Sequence, residues 1–353
     1  MFESGMDVFA PQLEIGLKIE VHTTPAAFAQ LESEWNALVR QSPTDTVFLT
    51  WEWQSLWWDA YQAGELSLVT MRGESGALVG IAPWFIETGE GGERVVRGIG
   101  CVDVTDYVDM IYAPEYASQV FAASAHVLCE HADRFDRINL CNIREESATL
   151  PGLSQALRTA GFEVEQVFQE VCPVIRLGGA FENYIESLDK KNRHELRRKM
   201  RIAYGTPDLD WHIVTPEDDL DRAADQFLRL MAESTQDKAV FLEDPHNVRF
   251  FRSLLPAMQR NGWLQLSFLT LAGEPTASYF NFVYNRRVMV YNSGISVSHG
   301  QLSPGIILLS YLIQHAVEQG YTEFDFLRGN QDYKYRMGAV SETLYMLKAT
   351  LPK

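Results

Sequence analysis

The sequence has 353 residues, which is enough for two ordinary domains. Hydrophobic residues make up 46% of it and charged residues 22%, a globular composition that can bury a core. The formal net charge of −17 argues against a broad nucleic-acid-binding surface, although it is compatible with a local basic patch.

The first sixteen residues are acidic and lack the basic and apolar regions of a secretory signal. No apolar run approaches the roughly 18 residues that are needed to span a bilayer. We therefore expect a cytoplasmic protein without a membrane span.

Four cysteines, Cys101, Cys129, Cys141 and Cys172, are scattered without a CxxC pair. This spacing predicts buried free thiols rather than a disulfide framework or a zinc site. The eight histidines show no metal-ligand spacing, and no GxSxG, HExxH, P-loop or GxGxxG motif in a strand–helix context is present. We therefore expect chemistry that uses neither a metal nor a covalent nucleophile.

Hydrophobic periodicity and turn residues predict a series of strands and helices in the first half. In chain order these are a strand at 17–21, a helix from Pro25, a tryptophan-rich helix at 48–61, a hairpin at 66–86, a strand pair within 94–112, a helix at 117–132, a strand at 137–142, a helix at 153–160 and a strand at 162–168. The tryptophan stripe has helical spacing and is interpreted as core rather than as a ligand cage. The strand pair carries an acidic cluster of Asp103, Asp106, Tyr107 and Asp109.

The same sequence patterns predict a similar order of elements in the second half. It contains a strand at 174–177, a long helix at 181–204, a strand at 209–214, a helix capped by Thr215, a helix at 247–260, strands at 264–271, 276–284 and 287–293, a helix between Ser303 and Gly320, a strand at 324–327 and a final edge strand at 344–351. Similar order and length suggest a duplicated domain. We predict a mixed α/β (α+β) fold with two domains, at 1–168 and 169–353, whose halves pack together.

One helix start has the residues of an anion site. Ser303 suits an N-cap, Pro304 suits the first helical position, and Gly305 lets a ligand approach the backbone. Free N–H groups and the positive end of the helix dipole favour a phosphate there. A plain helix cap uses the same residues, so both interpretations stay open.

A basic helix lies at residues 190–201, which hold seven of the 30 lysines and arginines and a single acid, Glu195. Four of these basic residues share one helix face at the spacing i, i+3, i+7 and i+11: Lys190, Arg193, Arg197 and Arg201. This face predicts an anion site for phosphates, an acidic substrate or RNA. The alternative is a solvated face that is paired with acids elsewhere in the chain.

Asp325 lies in a short apolar strand, on the side opposite Phe324 and Phe326. A carboxylate in that position could orient an amine or accept a proton. It could equally form a structural ion pair with Arg328 or Arg336.

Three stretches resemble a known family. They are KKNRHELRRKMR at 190–201, QLSPGIILLSYLIQHAVEQGYTEFDFLRG at 301–329 and DYKYRMG at 332–338. The order of elements in each half is similar to the GNAT acetyltransferase fold, and the second half resembles the cellulose-biosynthesis (CelD-like) type. That type shares its double-GNAT build with the Fem-type aminoacyl-tRNA transferases. The first half matches by pattern only.

The resemblance implies two tandem GNAT domains and transfer of an acyl group from acetyl-CoA or another acyl-CoA to an amine. In this fold the donor's pyrophosphate lies at a Q/R-x-x-G-x-G/A loop, and residues 301–306 occupy that slot. Pro304 replaces one glycine and removes an N–H donor, and Ile306 replaces the final small residue. The residues expected to bind the donor are Tyr291, Ser293, Gln301, Ser303 and Gly305.

The expected mechanism is direct attack of a substrate amine on an acyl thioester. Asp325 is the predicted base, Tyr333 the predicted acid for the thiolate, and the strand at Asn292 the predicted source of a backbone N–H that polarises the carbonyl. Tyrosines that flank strands are also common packing residues. The residues expected to bind anionic parts of donor or acceptor are Arg193, Arg197, Arg328, Lys334 and Arg336.

Two other functions stay open. The basic helix favours a Fem-like transferase that depends on aminoacyl-tRNA and acts on a cell-wall or lipid precursor. The altered loop at 301–306 is compatible with a non-catalytic binding protein of a polysaccharide assembly. The expected partners are a small acyl donor and an amine acceptor of envelope or polysaccharide metabolism, and tRNA is the one nucleic acid left open.

Overall fold

The structure, a computed structural model, describes residues 16–101 and 104–352, without the side chains of residues 299–301. Asp103 of the acidic cluster and the side chain of Gln301 therefore lie outside the described residues. The first half consists of β1 (Lys18–His22), α1 (Ala26–Val39), α2 (Trp51–Tyr61), β2 (Glu65–Arg72), β3 (Leu78–Thr88), β4 (Arg94–Gly98), β5 (Ile111–Tyr112), α3 (Ala117–Glu130), β6 (Arg137–Arg144), α4 (Thr149–Thr159) and β7 (Glu163–Arg176).

The second half repeats this order with two additional helices near its start and a further helix before α9. It consists of α5 (Phe181–Ser187), α6 (Lys190–Gly205), β8 (Leu209–Ile213), α7 (Leu220–Ser234), α8 (Gln236–Glu243), α9 (Pro245–Arg260), β9 (Leu264–Leu271), β10 (Glu274–Tyr284), β11 (Arg287–Ile295), α10 (Pro304–Glu318), β12 (Glu323–Asp325), α11 (Asp332–Arg336) and β13 (Val340–Thr350). Among the described residues we find no helix with the length and apolarity that a membrane crossing requires.

One mixed sheet runs through both halves, which confirms the predicted mixed α/β class. Its strand order is β1-β2-β3-β4-β6-β13-β7-β12-β11-β10-β9-β8, and β5 pairs with β3. The two halves exchange their last strands, because β13 pairs with β6 and β7 pairs with β12. The predicted edge position of residues 344–351 is therefore wrong, since β13 has a neighbour on each side. The division between residues 168 and 169 falls inside β7 and stays a prediction.

Two predicted helix boundaries are also wrong. The single helix at 181–204 is interrupted at Leu188, whose ψ of 148° is extended, and α6 restarts with Asp189 as its N-cap. The helix that was expected to start after Thr215 begins at Leu220, with Asp219 as its cap. In both cases an aspartate accepts a hydrogen bond from a backbone N–H of the first turn, which is the stronger local signal.

The prediction of four buried free thiols is wrong at three of them. Cys101 and Cys141 form a disulfide, Cys129 is exposed, and only Cys172 is a buried free thiol. Cys101 follows β4 and Cys141 lies in β6, and because these strands pair in parallel the two Cα atoms lie 5.9 Å apart. A separation of 40 residues gives no local sequence signal for such a pair.

The tryptophan stripe of α2 is confirmed as core. Trp53 and Trp57 are fully buried where α2 packs against α9, in an apolar core that both halves share. The Trp53 ring meets those of Phe250 and Phe282 edge-on, with centroids 5.3 and 5.5 Å apart. This core covers one face of the sheet, and α5, α6 and α10 cover the other face of the second half.

A gap opens between β11 and β12. The two strands pair in parallel only from Arg287–Glu323 to Met289–Asp325, after which β12 ends and β11 continues to Ile295. The register of β11 against β10 shifts at Tyr291, which is an extra residue in the ladder and bends the strand. In the first half the corresponding strands, β4 and β6, also pair over a short stretch, and the disulfide between Cys101 and Cys141 links the chain beyond it.

Candidate active site

The start of α10 is a positively polarised position beside the end of β11. Lys199 of α6 donates a hydrogen bond from Nζ to Ser303 Oγ at 2.7 Å, and its side chain is only 17% exposed. Ser303 is the N-cap of α10, as predicted, but its backbone is left-handed (φ 57°) and its hydroxyl caps no helical N–H. An ammonium group next to the N-terminal end of a helix dipole favours a bound anion.

Gly305 is required by packing. A Cβ atom added there would lie 2.5 Å from Ile295 Cδ1 and 3.8 Å from the Tyr279 hydroxyl. The space where a Cβ atom of residue 305 would lie is therefore occupied by the Ile295 side chain at the end of β11, and the approach of a ligand to the Gly305 backbone stays a prediction. The close contact holds the start of α10 against the gap.

Side chains of α7 and α8 occupy the free edge of β11. The Ser293 N–H donates to Asn292 Oδ1 at 2.8 Å, and the Ile295 N–H donates to Ser234 Oγ at 2.6 Å. Lys238 donates from Nζ to the carbonyl oxygen and to Oγ of Ser293, and burial lowers the pKa of this lysine to about 8. The N–H that was expected to polarise a carbonyl is thus held by the side chain of Asn292.

The two predicted tyrosines lie on opposite faces of the sheet. The ring of Tyr291 packs in the shared core and its hydroxyl donates to the Val104 carbonyl oxygen at 2.8 Å. Its side chain is therefore directed away from α10, so a role at the cofactor is limited to its main chain. Tyr333 lies on the α10 side, edge-on to Phe326 at 6.0 Å, and burial raises its pKa to about 12.

Asp325 is buried at the interface between the halves. It is 3% exposed, and it accepts hydrogen bonds from the Tyr107 hydroxyl and from the Leu327 N–H, each at 2.7 Å. Burial raises the pKa of this carboxyl to about 6, and the two hydrogen bonds oppose the rise. The predicted orientation is confirmed, since the neighbouring Phe324 and Phe326 pack on the α10 side.

The prediction of a structural ion pair between Asp325 and Arg328 or Arg336 is wrong. Arg328 donates from Nε to Asp106 Oδ1 at 2.9 Å, across the interface between the halves. Arg336 pairs with Asp332 at 3.2 Å on the surface, where both side chains are largely exposed. Asp325 therefore has a hydroxyl and a main-chain N–H as its hydrogen-bond partners.

Lys334 holds the turn that follows β12. It is 3% exposed, and its Nζ donates to the carbonyl oxygens of Leu327, Arg328 and Gly329 at 3.2, 2.7 and 3.0 Å. Burial lowers its pKa to about 8, so the ammonium form persists at neutral pH. All three of its donors are used on the main chain, which corrects the predicted anion-binding role.

The basic face of α6 is partly paired with acids. Arg197 bonds to Glu182, Arg193 donates to the Glu186 carbonyl oxygen, and Arg198 lowers the pKa of Glu195 to about 2. Five basic residues still line one open depression of the surface: Lys190, Lys191, Arg193, His194 and Arg197. Arg193 and Arg197 belong to both sets, so the anion-site and solvated-face interpretations of this helix both stay predictions.

The predicted residues form two groups. Ser293, Ser303 and Gly305 surround the gap, and Asp325 and Arg328 lie at the interface of the halves. Sequence reasoning missed four contributors: Asp106, Tyr107, Lys199 and Lys238. Asp106 and Tyr107 were visible as part of an acidic cluster and Lys199 as part of the basic helix, whereas no local signal distinguishes Lys238.

Comparison with known proteins supports the fold. A family model described as an acetyltransferase (GNAT) domain matches residues 190–335. Among curated proteins, none matches this chain in sequence. The crystal structure of FemX is 13% identical with a TM-score of 0.60, over 93% of this chain and 96% of FemX.

Two other solved structures are similar over most of their length. L-PGS from Bacillus licheniformis is 12% identical with a TM-score of 0.55, over 90% of this chain and 91% of that chain. A conserved protein of unknown function from Bacteroides thetaiotaomicron is 13% identical with a TM-score of 0.59, over 94% of this chain and 100% of that chain. Residues 190–335 are thus similar to an acetyltransferase (GNAT) domain, the solved structures support the fold, and the CelD-like type stays a prediction.

Proposed function

We propose that this protein is an N-acyltransferase that transfers an acyl group from acyl-CoA to an amine. The observation that carries the proposal is the gap where β11 leaves β12, with Lys199 and the start of α10 at its end. A gap between parallel strands admits an extended chain, and the positive helix start favours its phosphates. The match of residues 190–335 to a GNAT domain supports the same site.

The main chain of β11 would polarise the acyl carbonyl. The Ser293 N–H now donates to Asn292 Oδ1, so rotation of the Asn292 side chain would free this N–H for the carbonyl oxygen. The half-buried ammonium of Lys238 holds the carbonyl oxygen of Ser293 in place. The Asn292 side chain thus accepts the hydrogen bond of the Ser293 N–H until the carbonyl oxygen of the acyl donor replaces it.

In the proposed reaction the amine nitrogen attacks the thioester carbonyl carbon, a C–N bond forms and the C–S bond breaks. The amine proton passes to Asp325, directly or through a water molecule, and the thiolate takes a proton for which Tyr333 is the candidate donor. A pKa of about 6 leaves Asp325 ionised at neutral pH and close to the pH at which a base works best. Tyr107 holds the carboxylate in position from the other half.

Acyl-CoA is expected to stabilise the folded protein. At a concentration about 100 times its Kd, a ligand adds about 2.7 kcal/mol to the free energy of unfolding, which for this chain corresponds to a rise in Tm of about 4 °C. A thermal-shift series with CoA and acyl-CoAs of increasing chain length measures this rise. It also ranks the acyl chains.

Lys199→Ala tests where the donor binds. We expect this variant to lose most of the rise in Tm, because its ammonium lies at the start of α10. Lys191→Ala removes the same charge from the exposed part of α6 and is the matched control, which should keep the full rise. The absence of a rise with every ester in the wild type would contradict an acyl-CoA-dependent function.

A Fem-like transferase that depends on aminoacyl-tRNA is the second candidate. The open basic depression on α6 favours it, as does the similarity of fold to FemX over most of the chain. Under this function the wild type should bind tRNA with an affinity that falls steeply with salt. The double variant Arg193→Ala and Arg197→Ala should bind tRNA more weakly. The slope of log affinity against log salt concentration should also become smaller, by about one for each phosphate that the variant no longer neutralises. Gel-shift titrations at several salt concentrations measure both quantities, and salt-independent binding would exclude this function.

A further inference from the structure

The strand β8 forms one end of the sheet, and no other strand of the described residues pairs with its outer edge. Its inner edge pairs with β9 in antiparallel register from Leu209–Leu271 to Ile213–Ser267. An unpaired strand edge presents a row of main-chain donors and acceptors to which another strand can bind. The outer edge of β8 is thus a surface on which the sheet can continue.

The pairing with β9 shows which main-chain groups lie on the outer edge. The Val214 N–H donates to the Leu266 carbonyl oxygen, and the Ala272 N–H donates to the Asp208 carbonyl oxygen, each at 2.8 Å. In an antiparallel pair of strands, residue pairs that exchange hydrogen bonds alternate with pairs that do not. The even-numbered residues of β8 therefore bond to β9. The N–H and C=O groups of the odd-numbered residues point outward, and these residues are Leu209, Trp211 and Ile213.

The opposite end of the sheet is protected by charge, whereas the outer edge of β8 is not. The end strand β1 carries Lys18 and Glu20 at exposed positions, and their side chains form an ion pair at 2.6 Å. Lysine, proline and bulges on an edge strand hinder its pairing with a second chain. The sequence of β8 is LDWHI, without lysine or proline, and its register against β9 is regular. β8 therefore lacks these defences.

The sequence of β8 is complementary to itself about Trp211. When two copies pair antiparallel with Trp211 opposite Trp211, each Leu209 lies opposite Ile213 and each Asp210 lies opposite His212. The pairs of Trp211 and of Leu209 with Ile213 exchange main-chain hydrogen bonds, because their N–H and C=O groups point outward. Asp210 and His212 then form the pairs in which opposing side chains lie closest, and an imidazole N–H can donate to the facing carboxylate.

The side chains of Asp210 and His212 are available for this contact. Both residues are exposed, and neither forms an ion pair or a side-chain hydrogen bond within the described part of the chain. The His212 ring stacks on Phe268 of β9 with centroids 5.6 Å apart, which holds the imidazole beside the strand. The polar pair thus needs no rearrangement of an existing contact.

An aromatic patch adjoins β8 on the α10 side. Trp211 stacks on Tyr311 with centroids 5.5 Å apart, and Tyr204 of α6 meets Tyr311 edge-on at 6.1 Å. Tyr204 is 69% exposed, and the three rings line an open groove of about 310 Å³. Pairing about Trp211 would bring the patches of two copies together on the same face of the sheet, which would remove apolar surface from water.

From these observations we propose that two copies of this chain associate through β8, antiparallel about Trp211, and join their sheets into one. A second copy fits this edge because the complementarity lies within β8 itself, so the same residues supply both sides of a two-fold contact. A two-fold axis perpendicular to the sheet leaves α6 and α10 of both copies on one face. The proposal goes beyond the acyl-transfer function, and its test measures mass instead of activity.

Sedimentation equilibrium of the full chain between about 1 and 200 µM tests the association. A strand edge with its flanking patch is a small interface, so we expect a dimer with a Kd of about 10 µM. A monomer at every concentration in this range overturns the proposal, and the edge would then be open to a strand of another protein.

An exchange of two side chains tests the register. His212→Asp places carboxylates opposite each other twice in the dimer, and we expect at least about tenfold weaker association. Asp210→His together with His212→Asp restores complementary pairs and should restore the wild-type affinity. His126→Asp makes the same change of charge at an exposed position of α3 and is the matched control, which should dimerise like the wild type. Failure of the exchange to restore association, or equal weakening by His126→Asp, overturns the proposed contact.

Ile213→Pro tests the main-chain hydrogen bonds. The Ile213 N–H points away from β9, so its loss should spare the ladder within the chain and leave the Tm nearly unchanged. We expect this variant to stay monomeric up to about 200 µM, because proline removes a donor and its ring blocks the edge. If the variant does not fold, the exchange of the exposed residues Asp210 and His212 decides the question alone. A folded Ile213→Pro variant that dimerises like the wild type places the contact on another surface and overturns the proposal.

Discussion

Asp325→Asn is expected to lower kcat/KM for acyl transfer by about 10²–10⁴-fold without lowering the free energy of unfolding at neutral pH. The amide keeps an acceptor for the Leu327 N–H and a polar partner for the Tyr107 hydroxyl, so the local hydrogen bonds survive. It cannot accept the amine proton. Steady-state kinetics with the donor that gives the largest rise in Tm, together with urea unfolding of the same samples, separates the two effects.

The effect of Asp325→Asn on the free energy of unfolding changes with pH in one direction. The pKa of Asp325 rises from 3.8 in the unfolded chain to about 6 in the folded protein, so the folded state favours the protonated form. The stabilising contribution of this group is largest below 3.8 and is lost as the pH rises towards 6, whereas an asparagine is unaffected. The variant should therefore gain stability relative to the wild type with rising pH, and wild-type kcat/KM should rise through a pH of about 6.

Tyr107→Phe distinguishes a base from a merely structural carboxyl. The tyrosine hydroxyl stabilises the ionised form of Asp325, so its loss should move the acidic limb of the pH–rate profile to higher pH. A residue that acts only on the fold would change the Tm and leave the limb in place. If Asp325→Asn keeps full turnover and its pH–rate profile still has an acidic limb near pH 6, the base is another group.

The order of elements could be predicted from the sequence because it depends on local signals. Alternation and turn residues defined β9, β10 and β11 closely, and the repeat of the pattern indicated the duplication. The exchange of β7 and β13 could not be predicted, since strand pairing depends on contacts between residues far apart in sequence. Alternation alone makes β13 a plausible edge strand, and only its two neighbours show otherwise.

The candidate site was predictable where one strand decides the geometry. The side on which Asp325 lies follows from the alternation of its strand, but its partner Tyr107 is 218 residues away and carries no local signal. Asp106, which pairs with Arg328, is 222 residues away from it, so the sequence offered nearer partners that the structure does not use. The cluster of charged residues that the sequence shows after β12 is present in the structure. Whether such residues bind a ligand or the main chain depends on how deeply they are buried, and a sequence does not show burial.

Lys334→Met is expected to destabilise the folded protein by about 3–5 kcal/mol, the largest stability effect that we predict for a single side chain here. Methionine has a similar length but no donors, so three carbonyl oxygens of the turn after β12, which are buried or partly buried, lose their partner. That turn contains two left-handed residues, Leu327 (φ 55°) and Gly329 (φ 108°), and such a backbone persists only where its surroundings hold it. Arg336→Met is the control on the same short helix, because its side chain is 68% exposed and it should change the stability by less than about 0.5 kcal/mol. Equilibrium unfolding in urea measures both variants, and equal stabilities would show that the lysine is free to bind an anion, as its position in the sequence suggests.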